Sequence, residues 1–97
     1  MKPREDLYTI VFDFAGGTYL AQVRAPDAAG AVARWAGQLA RRGLPCLTRA
    51  EARELARDLP ADPPVPVEGL VNTWCSTGLV GGRAAFAHIV RTAEPVV

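Results

Sequence analysis

The first third of the chain alternates between apolar and polar positions with the two-residue period of a β-strand. The apolar series flanks a glycine pair, Gly16 and Gly17, and consists of Tyr8, Ile10, Phe12 and Phe14 before the pair, and Tyr19, Ala21, Val23 and Ala25 after it. Because successive side chains of a strand point to opposite faces, this pattern predicts an antiparallel hairpin over residues 7–25 with one apolar and one solvated face. With Gly16 and Gly17 as a two-residue turn, Phe14 would pair with Tyr19.

The glycine pair also has a functional interpretation, as a loop that binds phosphate. A P-loop requires a Gly-Lys-Ser/Thr ending, and a dinucleotide fingerprint requires a third spaced glycine where a helix begins. The segment FAGGTY has neither. Glycine adopts the positive φ of a tight turn without steric cost, so the sequence favours a structural turn here.

The period changes from strand to helix after Pro26. Asp27 is a good N-cap, apolar residues then recur at helical spacing around Trp35, and Gly43 supplies a C-terminal stop, which together predict a helix over 27–42. We expect Trp35 to pack on the apolar face of the hairpin. A second helix is predicted over 48–59, where Thr48 and Glu51 have the spacing of a capping box.

The last third predicts a proline-rich connector over 60–69 and a second hairpin over 70–92, whose turn contains Gly81 and Gly82. A two-residue loop would place Cys75 opposite His88, whereas a three-residue loop re-sorts the pairs. Neither arrangement separates an apolar face from a polar one, so the pattern leaves the register of this hairpin open.

These elements predict an α+β fold of one domain, residues 1–97, in the order β-β-α-α-β-β. The two hairpins would form a four-stranded antiparallel sheet, with both helices on one face as a two-layer sandwich. Which strand of the first hairpin neighbours the second hairpin stays open.

Apolar residues on both sides of the second hairpin suggest an interaction surface. The helices can cover only one side, so the other would be exposed unless a partner covers it. The candidate interaction residues are Trp74, Phe86, Val80 and Ile89. The sequence therefore favours a small non-catalytic interaction or regulatory module that forms a homodimer or other homo-oligomer, or binds a protein partner.

A thiol-dependent enzyme or redox sensor is the alternative function. Residues paired directly across an antiparallel ladder have Cβ atoms about 4.5–5.5 Å apart, so Cys75 and His88 could act as a nucleophile and its base. A buried cysteine is ordinarily a small hydrophobe, and no acidic residue lies next to either one in sequence. We therefore expect a protein that is not an enzyme.

Composition adds mainly exclusions. The 11 basic and 10 acidic residues give a net charge of +1, so no overall field favours nucleic acid or an anionic membrane. Arg49, Arg53 and Arg57 recur every four residues as an anion-binding candidate, but acidic residues lie between them. Two cysteines and one histidine do not make a zinc site, so we expect no metal and no cofactor. The polar N-terminus is unlike a signal peptide, which favours a cytoplasmic location and reduced thiols.

Overall fold

The computed structural model describes residues 4–94 and has the predicted α+β architecture, with the two helices packed on one face of an antiparallel sheet. The elements are β1 (Asp6–Phe14), β2 (Gly17–Ala25), α1 (Ala28–Arg42), α2 (Arg49–Asp58), β3 (Val65–Pro66), β4 (Thr73–Val80) and β5 (Arg83–Thr92). The sheet order is β2-β1-β5-β4-β3. The connector thus contributes a short fifth strand, and β1 is the strand that joins the two hairpins.

The first hairpin turns one residue earlier than the sequence predicts. Positive φ values occur at Ala15 (52°) and Gly16 (80°), so Phe14 pairs with Gly17, and Phe12, not Phe14, pairs with Tyr19. Gly17 is needed for a different reason, because a Cβ there would lie 2.9 Å from the Tyr19 hydroxyl oxygen. The pairing is shifted by two residues, which changes every partner but leaves each side chain on its predicted face.

Both helices begin at the caps that the sequence indicates. The Asp27 carboxylate accepts a hydrogen bond from the Gly30 N–H at 2.7 Å, and α1 ends where Gly43 adopts a φ of 67°. At α2, the Thr48 hydroxyl accepts from the Glu51 N–H at 3.1 Å, while the Glu51 carboxylate accepts from the Thr48 N–H at 2.9 Å. This reciprocal capping box satisfies amides that have no partner within the helix.

The core lies between the helices and the inner face of the sheet. Trp35 packs on the apolar face of the first hairpin, with its ring centroid 5.1 Å from that of Phe12. The largest fully buried side chains come from both helices, including the C-cap of α2, and from three strands, and are Phe12, Ile10, Leu55, Leu59, Ile89, Val32 and Val80. A single apolar layer therefore holds the helices on the sheet.

The second hairpin has the two-residue turn. Gly81 and Gly82 both have positive φ, at 56° and 78°, and Val80 pairs with Arg83. Cys75 consequently lies opposite His88. Glycine at both central turn positions matches the turn type that suits the twist of a hairpin.

Candidate functional site

The side of the sheet away from the helices is the candidate functional surface. It is formed by the odd-numbered residues of β1 and β4, the even-numbered residues of β2 and β5, and Val65 of β3, and we call it the open face. Its central row crosses all five strands and consists of Leu20, Val11, His88, Cys75 and Val65. Both helices pack on the opposite side, so no residue in the range 4–94 forms a second layer over this row.

The open face exposes several large apolar side chains. Leu20 is 73% exposed, Val65 65%, Leu79 57% and Phe86 43%. They come from four different strands, so the apolar character extends across the sheet. Large apolar side chains exposed on one face of a sheet are a feature of surfaces that another molecule covers.

The polar groups of the open face have partners within the chain. The Asp13 carboxylate accepts a hydrogen bond from the Thr18 hydroxyl at 2.6 Å. Arg24 donates two hydrogen bonds to the Glu94 carboxylate, and the interaction raises the pKa of Arg24 and lowers that of Glu94. Because these charges are compensated locally, a partner could cover the face without supplying counter-charges of its own.

The structure divides the predicted interaction residues between the two faces of the second hairpin. Phe86 lies on the open face, as an interaction role requires. Val80 and Ile89 are instead fully buried beneath the helices, and Trp74 is half-buried with its ring 6.1 Å from that of Tyr8. These three residues therefore belong to the core side and do not line the exposed surface.

Small residues explain why this side of the hairpin faces inward. Ala85 and Ala87 of β5 are fully buried, and Gly78 of β4 lies directly beneath α2. A Cβ at Gly78 would be 3.1 Å from Leu55 Cδ1. The close approach of the helix requires these small residues, and hydrophobicity alone does not reveal that requirement.

Asp13 is a third polar residue beside Cys75 and His88, and the sequence alone did not place it there. Asp13 Oδ2 lies 4.0 Å from His88 Nδ1, because β1 pairs with β5 in the sheet. The alternation in β1 places Asp13 on this face, but only the strand order shows that His88 is its neighbour. Cysteine, histidine and aspartate therefore lie together on β4, β5 and β1.

The surroundings of Cys75 favour its protonated form. Burial raises the pKa of the Cys75 thiol, whereas the thiolate is the reactive form. The thiol donates only a long contact of 3.9 Å to the Ser76 carbonyl oxygen.

Two of the surface concavities that the described residues line are open to solvent. A cleft of about 730 Å³ is open to solvent and includes Arg4, Asp6 and Arg91, whose charges pair with one another at 3.6–4.0 Å. A second, of about 380 Å³, lies beside Cys75 and Pro63 at the β4 edge. Ligand pockets are usually enclosed and mostly apolar.

The arginines of the anion-binding candidate are exposed on one side of α2. Arg49, Arg53 and Arg57 make no ion pair with any residue in the range 4–94, and Glu54 lies among them. Within that same range, no cluster of three or more His, Cys, Asp or Glu side chains could hold a metal ion. No helix of the described chain is long and apolar enough to cross a membrane.

Comparison with known proteins adds no assignment. Neither a protein-family model, nor a curated protein, nor a solved structure matches this chain.

Proposed function

We propose that the protein is a non-catalytic interaction module that binds a protein partner through the open face. The observation that carries this proposal is the exposure of Leu20, Val65, Leu79 and Phe86 on a sheet surface that neither helix covers. Leaving such side chains in water costs about 25 cal/mol for each Å² of apolar surface, and a partner that covers them recovers that free energy.

The open face has the size of a specific interface. The four long strands lie about 4.8 Å apart and have eight to ten residues each, at about 3.3 Å per residue, so they form a surface of roughly 600 Å². A standard interface covers about 800 Å² on each partner. The open face and its rim thus provide enough area for one protein.

The chemistry of the face indicates an apolar partner surface. Its large exposed side chains are aliphatic and aromatic, and its central row also contains His88 and Cys75. Asp13 and Arg24 lie near opposite ends and are already paired within the chain. A highly charged ligand such as nucleic acid finds no uncompensated basic patch there. A second apolar protein surface matches these features.

The test compares two glutamate variants with matched exposure. Leu79→Glu introduces a charge on the open face, and Leu70→Glu introduces the same charge at a residue outside the sheet that is 60% exposed. The tagged proteins are used to capture partners from the native cell, and each captured protein is quantified. Phe86→Glu serves as a second variant of the open face.

We expect one protein to be captured stoichiometrically by the wild type and by Leu70→Glu. Capture should fall about 30-fold with Phe86→Glu, because a central interface residue typically contributes about 2 kcal/mol. A partner that binds Phe86→Glu and Leu79→Glu as well as the wild type would refute this site. If the partner is a second copy of the chain, the same two variants should convert it to a monomer in sedimentation experiments.

A further inference from the structure

We propose that two copies of this chain pair along β2, antiparallel about a two-fold axis, to form one continuous ten-stranded sheet. This junction uses the backbone groups of the β2 edge and borders the open face at Leu20. The test residues of the open face, Leu79 and Phe86, lie on β4 and β5, so the two proposals are tested separately. It rests on an asymmetry between the two edges of the sheet.

The edge at β4 is blocked by three separate features. The two-residue strand β3 pairs with β4 at Cys75, and it contains Pro66, which has no N–H to offer to another strand. The Val67 N–H donates to the Thr73 carbonyl oxygen at 3.0 Å. These contacts cover the first half of β4.

The second half of this edge is capped by α2. The Asp58 carboxylate accepts a hydrogen bond from the Leu79 N–H at 2.8 Å, so this outward-pointing amide is already occupied. The backbone groups of the odd-numbered residues of β4 point away from β5. Thr73, Cys75 and Leu79 are paired with Val67, β3 and Asp58, respectively, and Thr77 has none of these partners. Natural sheets protect their edges with devices of this kind, because an unpaired strand invites another chain.

The β2 edge has much less protection. Phe14 and Gly17 form the hydrogen-bonded pair that closes the two-residue turn. Hydrogen-bonded pairs then recur at every second residue, so the backbone groups of the odd-numbered residues of β2 bond to β1, and those of the even-numbered residues point away from β1. The Arg24 carbonyl oxygen is directed as this rule requires, since it accepts a hydrogen bond from the Arg34 guanidinium. That leaves Thr18, Leu20 and Gln22 with open N–H and C=O groups, and β2 contains no proline.

A second copy is the partner that this edge fits best. When β2 pairs with itself so that Leu20 lies opposite Gln22 of the second copy, Arg24 lies opposite Thr18 of the second copy. The Thr18 hydroxyl is bonded to Asp13, so Arg24 of each copy lies beside a carboxylate of the other. Arg24 of each copy already bonds Glu94 within its own chain, so in this register the guanidinium would lie between its own Glu94 and Asp13 of the second copy.

The inner side of this junction is also compatible with self-pairing. In the same register Ala21 lies opposite Ala21 of the second copy at the two-fold axis. This side chain is small and half-buried, so it leaves room for the helices of both copies on the inner side of the sheet. The two central pairs would exchange four backbone hydrogen bonds. Each outer pair would add one more, from the Arg24 N–H to the Thr18 carbonyl oxygen, because the Arg24 carbonyl oxygen already accepts from Arg34, so about six bonds would form in all. The two open faces would then lie side by side on one sheet.

The test places a proline at an outward-pointing amide on each edge. Gln22→Pro removes one open N–H of β2 without removing a bond to β1, because the Gln22 amide points away from that strand. Thr77→Pro is the matched control, since its amide also points outward but lies on the β4 edge. Sedimentation velocity over a concentration series gives the dimer constant, and far-UV circular dichroism confirms that each variant is folded.

We expect the wild type to sediment at twice its mass of 10.3 kDa. Gln22→Pro should weaken the dimer about 30-fold or more, because two symmetry-related hydrogen bonds are lost and two proline rings enter the junction. Thr77→Pro should leave the dimer constant unchanged. Amide hydrogen exchange supplies a reading that needs no variant, since Leu20 and Gln22 should exchange more slowly as the protein concentration rises.

Four results would overturn the proposal. They are a wild type that stays monomeric at millimolar concentration, a dimer that persists in folded Gln22→Pro, a dimer that Thr77→Pro dissociates instead, and fast exchange at Leu20 and Gln22 at every concentration. If Gln22→Pro does not fold, the exchange measurement on the wild type decides. A dimer that Phe86→Glu dissociates while Gln22→Pro leaves it intact would assign self-association to the open face.

Discussion

Replacing Gly78 by alanine should destabilise the protein, although alanine is ordinarily the better residue outside turns. Gly78 lies in β4 beneath α2, and a Cβ there would be 3.0 Å from Asp58 Oδ2, 3.1 Å from Leu55 Cδ1 and 3.4 Å from Leu59 Cδ2. Normal contacts between such atoms are about 3.5–4.0 Å. Neither leucine has free space, because both are fully buried.

The magnitude follows from two opposing effects. Overpacking a well-filled core costs about 1–3 kcal/mol, and Asp58 cannot move away without lengthening its bond to the Leu79 N–H. The loss of glycine flexibility in the unfolded chain returns about 0.4–1 kcal/mol. The net prediction is a destabilisation of about 1–2 kcal/mol, or a decrease in Tm of about 5–15 °C for a chain of this size.

Gly37→Ala is the matched control and should have the opposite sign. Gly37 lies inside α1, and a Cβ there would meet only Arg41 Nη1, at an ordinary 3.5 Å. Alanine is about 1 kcal/mol better than glycine in a helix interior, so this variant should be more stable than the wild type. Urea unfolding, followed by the fluorescence of Trp35 and Trp74, measures both changes.

A third variant tests the cause of the Gly78 effect. Removing the carboxylate with Asp58→Ala eliminates one of the close contacts, so Gly78→Ala should cost less in that background than in the wild type. A neutral or stabilising Gly78→Ala would show that α2 does not pack closely on β4 at Gly78. The same conclusion would follow if Asp58→Ala leaves the destabilisation caused by Gly78→Ala unchanged.

Two further predictions concern titrating groups. The Thr48 N–H, together with the Thr48 hydroxyl and Arg83, lowers the pKa of Glu51 in the folded protein. The stability that Glu51 contributes should therefore be present above the pKa of an unfolded glutamate and be lost as the pH falls through the folded value. In Glu51→Gln the urea midpoint should decrease less steeply between about pH 6 and pH 3 than in the wild type, and parallel pH profiles would contradict this. Because burial raises the pKa of Cys75, its alkylation at neutral pH in a Cys46→Ser background should be slower than that of a model thiol, and faster alkylation would favour a thiol-dependent function.

The open face and the β2 edge meet at Leu20, but the residues that test them lie on different strands. Phe86 and Leu79 lie on β5 and β4, whereas the β2 edge is at the far side of the sheet. Charge at Phe86 should therefore reduce partner binding without changing the dimer constant. If both proposals hold, each dimer would present two open faces in the same direction and could bind a repeated partner bivalently.

The local elements could be predicted from the sequence because their causes are local. Alternation in β1 and β2 assigned each side chain to its face, and this assignment survived a register shift because a shift of two residues preserves it. The caps at Asp27 and Thr48 marked where the helices begin, since the bonds that they make span only three residues.

The positions of these elements relative to one another were decided only by the tertiary structure. The second hairpin has apolar residues on both sides, and its inner face is chosen by how closely the helices approach, which favours Ala85, Ala87 and Gly78 over the larger Phe86. The proximity of Asp13 to His88 depends on β1 lying next to β5, a contact across more than seventy residues. The difference in protection between the sheet edges arises in the same way, because Asp58 and Arg34 reach the edge strands only after the helices have docked.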